Sequence, residues 1–175
     1  MRFLRIFWIL IVGLFLFSGC FQKYEIDGFK SAENKFHWGS VGGKLKGKME
    51  MRNNTAVRRS PYELLIWFSS ETPIEGIVQI LGLKLTYAKS KKNIFNKDNI
   101  PEKRIKKYTR IIKKPAEKHI NDYTAYFSFK NINMEYSDVI LQINFILKQG
   151  EKSTKYNAEI YFEKDYKKFK IIKGV

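Results

Sequence analysis

One thiol, two imidazoles and a few neighbouring carboxylates are the side chains in this sequence that could do chemistry. Cys20 is the only cysteine, so no disulfide can close within one chain. His37 and His119 are the only histidines and lie far apart in the sequence. Neither belongs to an H-E-x-x-H pair, the spacing that puts two imidazoles on one helix face for zinc. No G-x-S-x-G elbow presents a serine nucleophile. Carboxylates come close twice, Glu71 with Glu75 and Glu163 with Asp165. A glycosidase needs two carboxyl groups facing each other across a sugar, one of them protonated. These pairs instead fall at the ends of apolar runs among lysines, and they read as solvated ion pairs. The glycine-rich "GSVGGKL" is one residue short of a phosphate-binding loop and has Leu45 where the metal-binding hydroxyl belongs. The expectation is a protein that is not an enzyme, with no metal and no cofactor.

The placement of Cys20 is more informative than its reactivity. It ends "LFLFSGC", directly behind Ile6 to Phe17, a run without charge that only Gly13 interrupts. A bilayer-spanning helix needs roughly 20 apolar residues, whereas the core of an export signal has about 7 to 15. Arg2 and Arg5 supply the positive end that stays on the cytoplasmic side. Ser18 and Gly19 are small enough for a peptidase to seat the chain ahead of Cys20. The segment resembles a bacterial lipoprotein signal peptide, whose lipobox closes on a small residue followed by cysteine; Phe17 stands where that pattern usually has an aliphatic residue. The resemblance implies a diacylglyceryl group on the Cys20 sulfur, cleavage before Cys20 and acylation of the new amino terminus. It also implies a location in the bacterial cell envelope. Phe21 is not the aspartate that would hold such a protein at an inner membrane, so the outer membrane, facing the periplasm, is the expected site.

Charge bounds the partners. The chain carries 33 basic against 17 acidic side chains, a formal +16, and only Arg2 and Arg5 of the basic ones fall in the leader. Such an excess favours anionic lipid headgroups, an envelope polymer or an acidic protein. Export away from the cytoplasm argues against nucleic acid. A Lys-, Ile- and Asn-rich composition accounts for part of the excess on its own.

Residues 1–19 are thus expected to be a signal peptide, 20–43 a lipidated tether and 44–175 one folded domain. The tether reading follows from scattered apolar residues and from Gly28, Gly39, Gly42 and Gly43, which raise the entropic cost of order. "KFHWGS" around Trp38 is expected to dock on the domain. Beyond Lys44 the dominant period is two. "YELLIWFS" is an apolar run of strand length. "GIVQILGLKLTYA" places Ile77, Leu81, Leu83, Leu85 and Tyr87 on one face, and "YTAYFSFK" sets Tyr123, Ala125, Phe127 and Phe129 against Thr124, Tyr126, Ser128 and Lys130. "VILQINFILK" turns Val139, Leu141, Ile143, Phe145 and Leu147 one way, and "YNAEIYFE" turns Tyr156, Ala158, Ile160 and Phe162 inward. These are half-buried strands. "KQGEKSTK" is a hairpin turn, and Pro61, Pro73 and Pro101 fall where a missing ladder donor is tolerated. Six to eight strands with almost no helical period predict an all-β fold, an antiparallel two-layer β-sandwich of immunoglobulin-like architecture.

One segment reads either way. Lys103 to Lys118 holds eight basic side chains against a single acid, Glu117. As a helix it aligns Ile105, Tyr108, Ile111 and Ile112; as a strand it alternates. Its bases, Lys103, Arg104, Lys106, Lys107, Arg110, Lys113 and Lys114, are the candidate surface for a polyanion or an acidic partner. The competing reading is an edge strand kept from aggregating by its lysines. Trp67, Tyr126 and Tyr161 are outward aromatics that could add a binding face. The sequence therefore points to a lipid-anchored envelope protein with a binding or structural role. Two alternatives stay open: a periplasmic immunity protein that neutralises a toxin, and an envelope hydrolase, which would need a polar pocket near His119.

Overall fold

The computed structural model describes residues 21–53, 55–112 and 118–172, with the side chains of 21, 110–112, 118–121 and 172 set aside. Cys20, Lys113 and Lys114 lie outside the described residues, and of Arg110 only the backbone is described. Every regular element among the described residues is a strand. In chain order they are β1 (Phe21–Ser31), β2 (Asn34–Phe36), β3 (Gly39–Arg52), β4 (Thr55–Ser70), β5 (Ile77–Tyr87), β6 (Asn93–Asp98), β7 (Lys103–Arg104), β8 (Lys106–Ile112), β9 (Lys118–Ile132), β10 (Val139–Gln149) and β11 (Lys152–Ile172).

Hydrogen bonding runs through one sheet in the order β2-β3-β4-β1-β11-β10-β5-β6, with β9 on β4, β8 on β9 and β7 on β5. The sheet does not close into a barrel, and it is mixed. β1 pairs with β4 in parallel, Lys23 opposite Thr55 through Ile26 opposite Arg58, which corrects the expectation of a wholly antiparallel fold. The reason is topological: β1 is clamped between the antiparallel β11 on one side and the start of β4 on the other.

The stretch expected to be a tether is also different. Residues 21–43 form β1, β2 and the start of β3. The local pattern missed β1 because it pairs Phe21 to Ser31 with Ile172 to Phe162, where both strands are rich in charge. Trp38 does dock: it is buried, stacked on Phe36 and edge-on to Phe145 and Tyr156.

The later strands follow the two-residue period closely. Val139, Leu141, Ile143, Phe145 and Leu147 are all buried, as are Ala158, Ile160 and Phe162 opposite them. β5 departs in its first half, where Val78 and Ile80, not Ile77 and Leu81, face the core. The pairing with β10 slips between Asn144 and Phe145, leaving Leu81 as the extra residue of a bulge. A bulge inverts side-chain parity, so one alternating pattern cannot describe both halves. Pro61 sits inside β4, not at its end: the ladder steps from Arg59 opposite Lys48 to Tyr62 opposite Gly47, so Ser60 and Pro61 donate nothing to it. The β10–β11 hairpin turns on Gly150, whose φ of 57° is a conformation that suits glycine.

Phe68 of β4 packs edge-on against Phe127 of β9 and, at 4.8 Å, Phe145 of β10. Phe95 of β6 meets Phe129 of β9. Inward side chains of β3, β4 and β9 thus share one core with those of β5, β6, β10 and β11. Gly43 of β3 allows close contact there, since a Cβ would approach the Phe162 ring to 2.8 Å.

Beyond this core the sheet continues as a four-stranded arm. It is made of the end of β3, the start of β4, the first half of β1 and the last third of β11. One face of the arm is an ionic lattice in which Arg59 reaches Glu25 at 3.3 Å and Asp27 at 3.6 Å, and Lys168 reaches Glu25 at 3.1 Å. Burial raises the Asp27 carboxyl above its ordinary value even though Arg59 opposes the shift.

Where arm and core meet, Tyr62 is buried against Phe29, and its hydroxyl is raised far above the ordinary 10 by burial, with the Asp27 charge adding to the effect. A group whose pKa is raised on folding gives stability that is whole below the unfolded value and is lost as pH climbs towards the folded one. An ultraviolet phenolate titration followed together with circular dichroism tests this. Tyr62 should ionise only together with loss of the native circular dichroism; ionisation of every tyrosine in the still-folded protein would contradict this packing.

Candidate functional site

The ambiguous basic segment is strand. Lys103 and Arg104 pair with Val78 and Ile77, Ile105 is buried with its amide on the Gly76 carbonyl at 2.8 Å, and Lys106 onward pairs with β9. The helical alternative fails because these backbone groups are taken by strands distant in sequence, a constraint absent from the local pattern.

Strand geometry divides the candidate bases. Lys106 shares a row with Thr124, Ser69 and Ser40, on the outer face of β8, β9, β4 and β3. Tyr126 and Trp67 pair in the next row, and Trp67 lies over Gly42, where any Cβ would collide with the indole. Tyr108 adds a ring edge-on to Tyr126 at 6.0 Å, and these two tyrosines are 47% and 52% exposed. Lys103 lies beside them, with its ammonium donating to the Tyr126 carbonyl at 2.7 Å and sitting 5.1 Å from the Phe127 ring centre. Lys107 points the other way by strand alternation, towards a cleft shared with Ile74, Glu75 and Lys148. Arg104 borders both sides. The structure thus gathers Lys103, Arg104 and Lys106 with Tyr108 and Tyr126, and separates Lys107 from them. Of the outward aromatics, Tyr161 stands apart, donating to Asp138 at 3.2 Å on β11.

A polar cleft of about 630 Å³ adjoins this face, lined in part by Glu33, His37, Ser40, Trp67, Asp122 and Tyr126. Glu33 organises it: one carboxylate oxygen accepts from the Trp67 indole at 2.9 Å and the other from the Ser40 hydroxyl at 2.7 Å. Ser40 also lies 3.0 Å from the Ser69 hydroxyl. His37 Nε2 lies 3.5 Å from the Tyr156 hydroxyl. The side chain of His119, near which the hydrolase alternative would need its polar pocket, lies outside the described residues. This cleft was missed in the sequence because β2, β3, β4 and β9 each contribute two or three ordinary residues to it.

The carboxylate pairs are ion-paired or apart. Asp165 holds Lys167 at 2.9 Å and Lys30 at 3.2 Å. The hydrogen bond from Lys167, with help from Lys30, keeps its carboxyl below the ordinary value. Glu71 borders the His37 cleft and Glu75 the Lys107 cleft. Among the described residues no group of three or more His, Cys, Asp or Glu could hold a metal ion. No family model matches this chain, and neither a curated protein nor a solved structure matches it.

What the outer face can do follows from its parts. Exposed aromatic rings offer apolar area at low entropic cost, and ammonium and guanidinium groups beside them favour anions.

Proposed function

We propose that this chain is a lipid-anchored protein of the bacterial cell envelope that acts by binding, through the basic and aromatic face built from Lys103, Arg104, Lys106, Tyr108 and Tyr126. The anchor reading is carried by one observation: a lone cysteine directly behind an uncharged run of signal-peptide length, with Arg2 and Arg5 ahead of it. The binding reading is supported by the rings of Tyr108 and Tyr126 packing together, exposed, among three cationic side chains. The scaffold, which we read as a two-layer sandwich of immunoglobulin-like kind, presents this face on paired strands that do not need to rearrange. Its partner is anionic: an envelope polymer, a lipid headgroup or an acidic protein.

The paired substitution Lys106→Glu with Tyr126→Ala tests the face. Both side chains are exposed, so thermal stability should change little. The variant is expected to leave a heparin column at clearly lower salt than the parent and to lose whatever acidic partner the parent retains from an envelope extract. Unchanged elution would remove this face from the proposal.

A further inference from the structure

The second face of the arm is not ionic. Paired residues in a sheet project to the same side, and three rows fall on this one. Ile171 faces Gln22; Phe169 lies in line with Tyr24, Ala56 and Met51; Lys167 lies in line with Ile26, Arg58 and Met49. No carboxylate occurs among these ten positions. The first one, Asp165, comes at the base of the arm, where it is committed to Lys30 and Lys167. Met51 is 59% exposed, Ile171 45% and Phe169 39%, and Phe169 stacks on Tyr24 at 5.1 Å to widen the apolar surface. Large side chains exposed together, with cationic ones at their margin, mark an interaction surface.

We propose that this face of the arm rests on a phospholipid surface, with Met49, Met51, Tyr24, Ile26, Phe169 and Ile171 in the headgroup layer and the cations of Arg58 and Lys167 among the phosphates. The inference rests on the anchored reading in one respect: Cys20 is bonded directly to Phe21, the first residue of β1, so acyl chains there would enter the bilayer at the tip of this arm. Charge supports the same occupant. The charged side chains among the ten positions of this face are both cations, Arg58 and Lys167, while the bases Lys23, Lys170 and Arg52 form a row at the tip that projects from the opposite face. Basic and aromatic side chains around exposed aliphatic ones suit an anionic interface. The arm then fixes how the domain stands on the membrane, with the β10–β11 turn at its far end.

The test uses the full chain purified as its bacterial host makes it and mixed with vesicles of phosphatidylethanolamine and phosphatidylglycerol. The photoreactive substitution Met51→p-benzoylphenylalanine is compared with Ser153→p-benzoylphenylalanine, beside the distant turn. Irradiation is expected to yield phospholipid adducts roughly tenfold more often at 51 than at 153, as burial of this face in the interface would require. Equal yields would overturn the proposal. So would a dimer crosslinked through 51, which would assign the face to a second copy, or capture of a co-purifying protein in place of lipid. The mass of the amino-terminal peptide separates the two readings. Lipid adducts at 51 in a chain with a free Cys20 thiol would uphold the arm and reject the anchor. An acylated Cys20 without such adducts would do the reverse.

Discussion

Phe145→Ala is expected to lower the unfolding free energy by about 3–5 kcal/mol, the range for truncating a large buried aromatic. Phe145 is fully buried in mid-β10, and Phe68, Tyr156, Phe36 and Trp38 surround its ring at centroid distances of 4.8, 5.3, 5.9 and 6.1 Å. Those neighbours are stiff rings on β4, β11, β2 and the turn between β2 and β3. They cannot collapse into the vacated volume without moving the sheet, so the cavity term adds nearly in full. Against a typical total of about 5–15 kcal/mol, the loss would be about a fifth of the stability or more. Urea unfolding followed by circular dichroism measures it, and Phe145→Leu should recover most of it. A loss below about 1 kcal/mol for the alanine variant would mean that the ring does not close the core.

Cys20→Ser is expected to move the protein from the membrane pellet to the soluble extract. Each buried methylene contributes about 0.8 kcal/mol, and a single acyl chain holds a protein only reversibly, so firm anchoring needs two or more chains. The serine variant could carry no thioether-linked diacylglycerol and would retain only the weaker hold of the arm's apolar face and the salt-sensitive attraction of a basic chain for anionic headgroups. Fractionation at low and high salt checks both parts. An unmodified thiol in the parent's mass spectrum, or fractionation unchanged by the substitution, would remove the anchor.

The strands that could be read from the sequence are those with one dry face and one wet face. β10 and the first half of β11 alternate cleanly because each buries every second residue in a single core, which is the condition under which a period of two appears. β5 could be recognised as a strand, but its facing could not, since nothing local marks Leu81 as the bulged residue. β1 and the end of β11 were not read as strands because charge dominates them: their partners are each other, and their charged residues satisfy one another across the ladder. The basic segment was undecidable for a related reason, since strand there is imposed by β5 and β9. The outward directions of Trp67 and Tyr126 could be read singly, but their adjacency depends on the register between β4 and β9. The candidate anchor was legible because it depends on composition and order along the chain, with no need of a fold.

The pairing of the first strand with the last has a consequence for how the protein is made. β1 finds its full-length antiparallel partner only in β11, and its parallel contact with β4 spans just four residues. A chain threaded through an export channel with its amino end leading would deliver β1 first and would hold it, with one ladder nearly empty, until the closing residues arrive. Such distant pairing slows folding and leaves an edge open to other chains in the interval. For a chain exported in that way, the arrival of β11, more than any local preference, would govern when the fold completes.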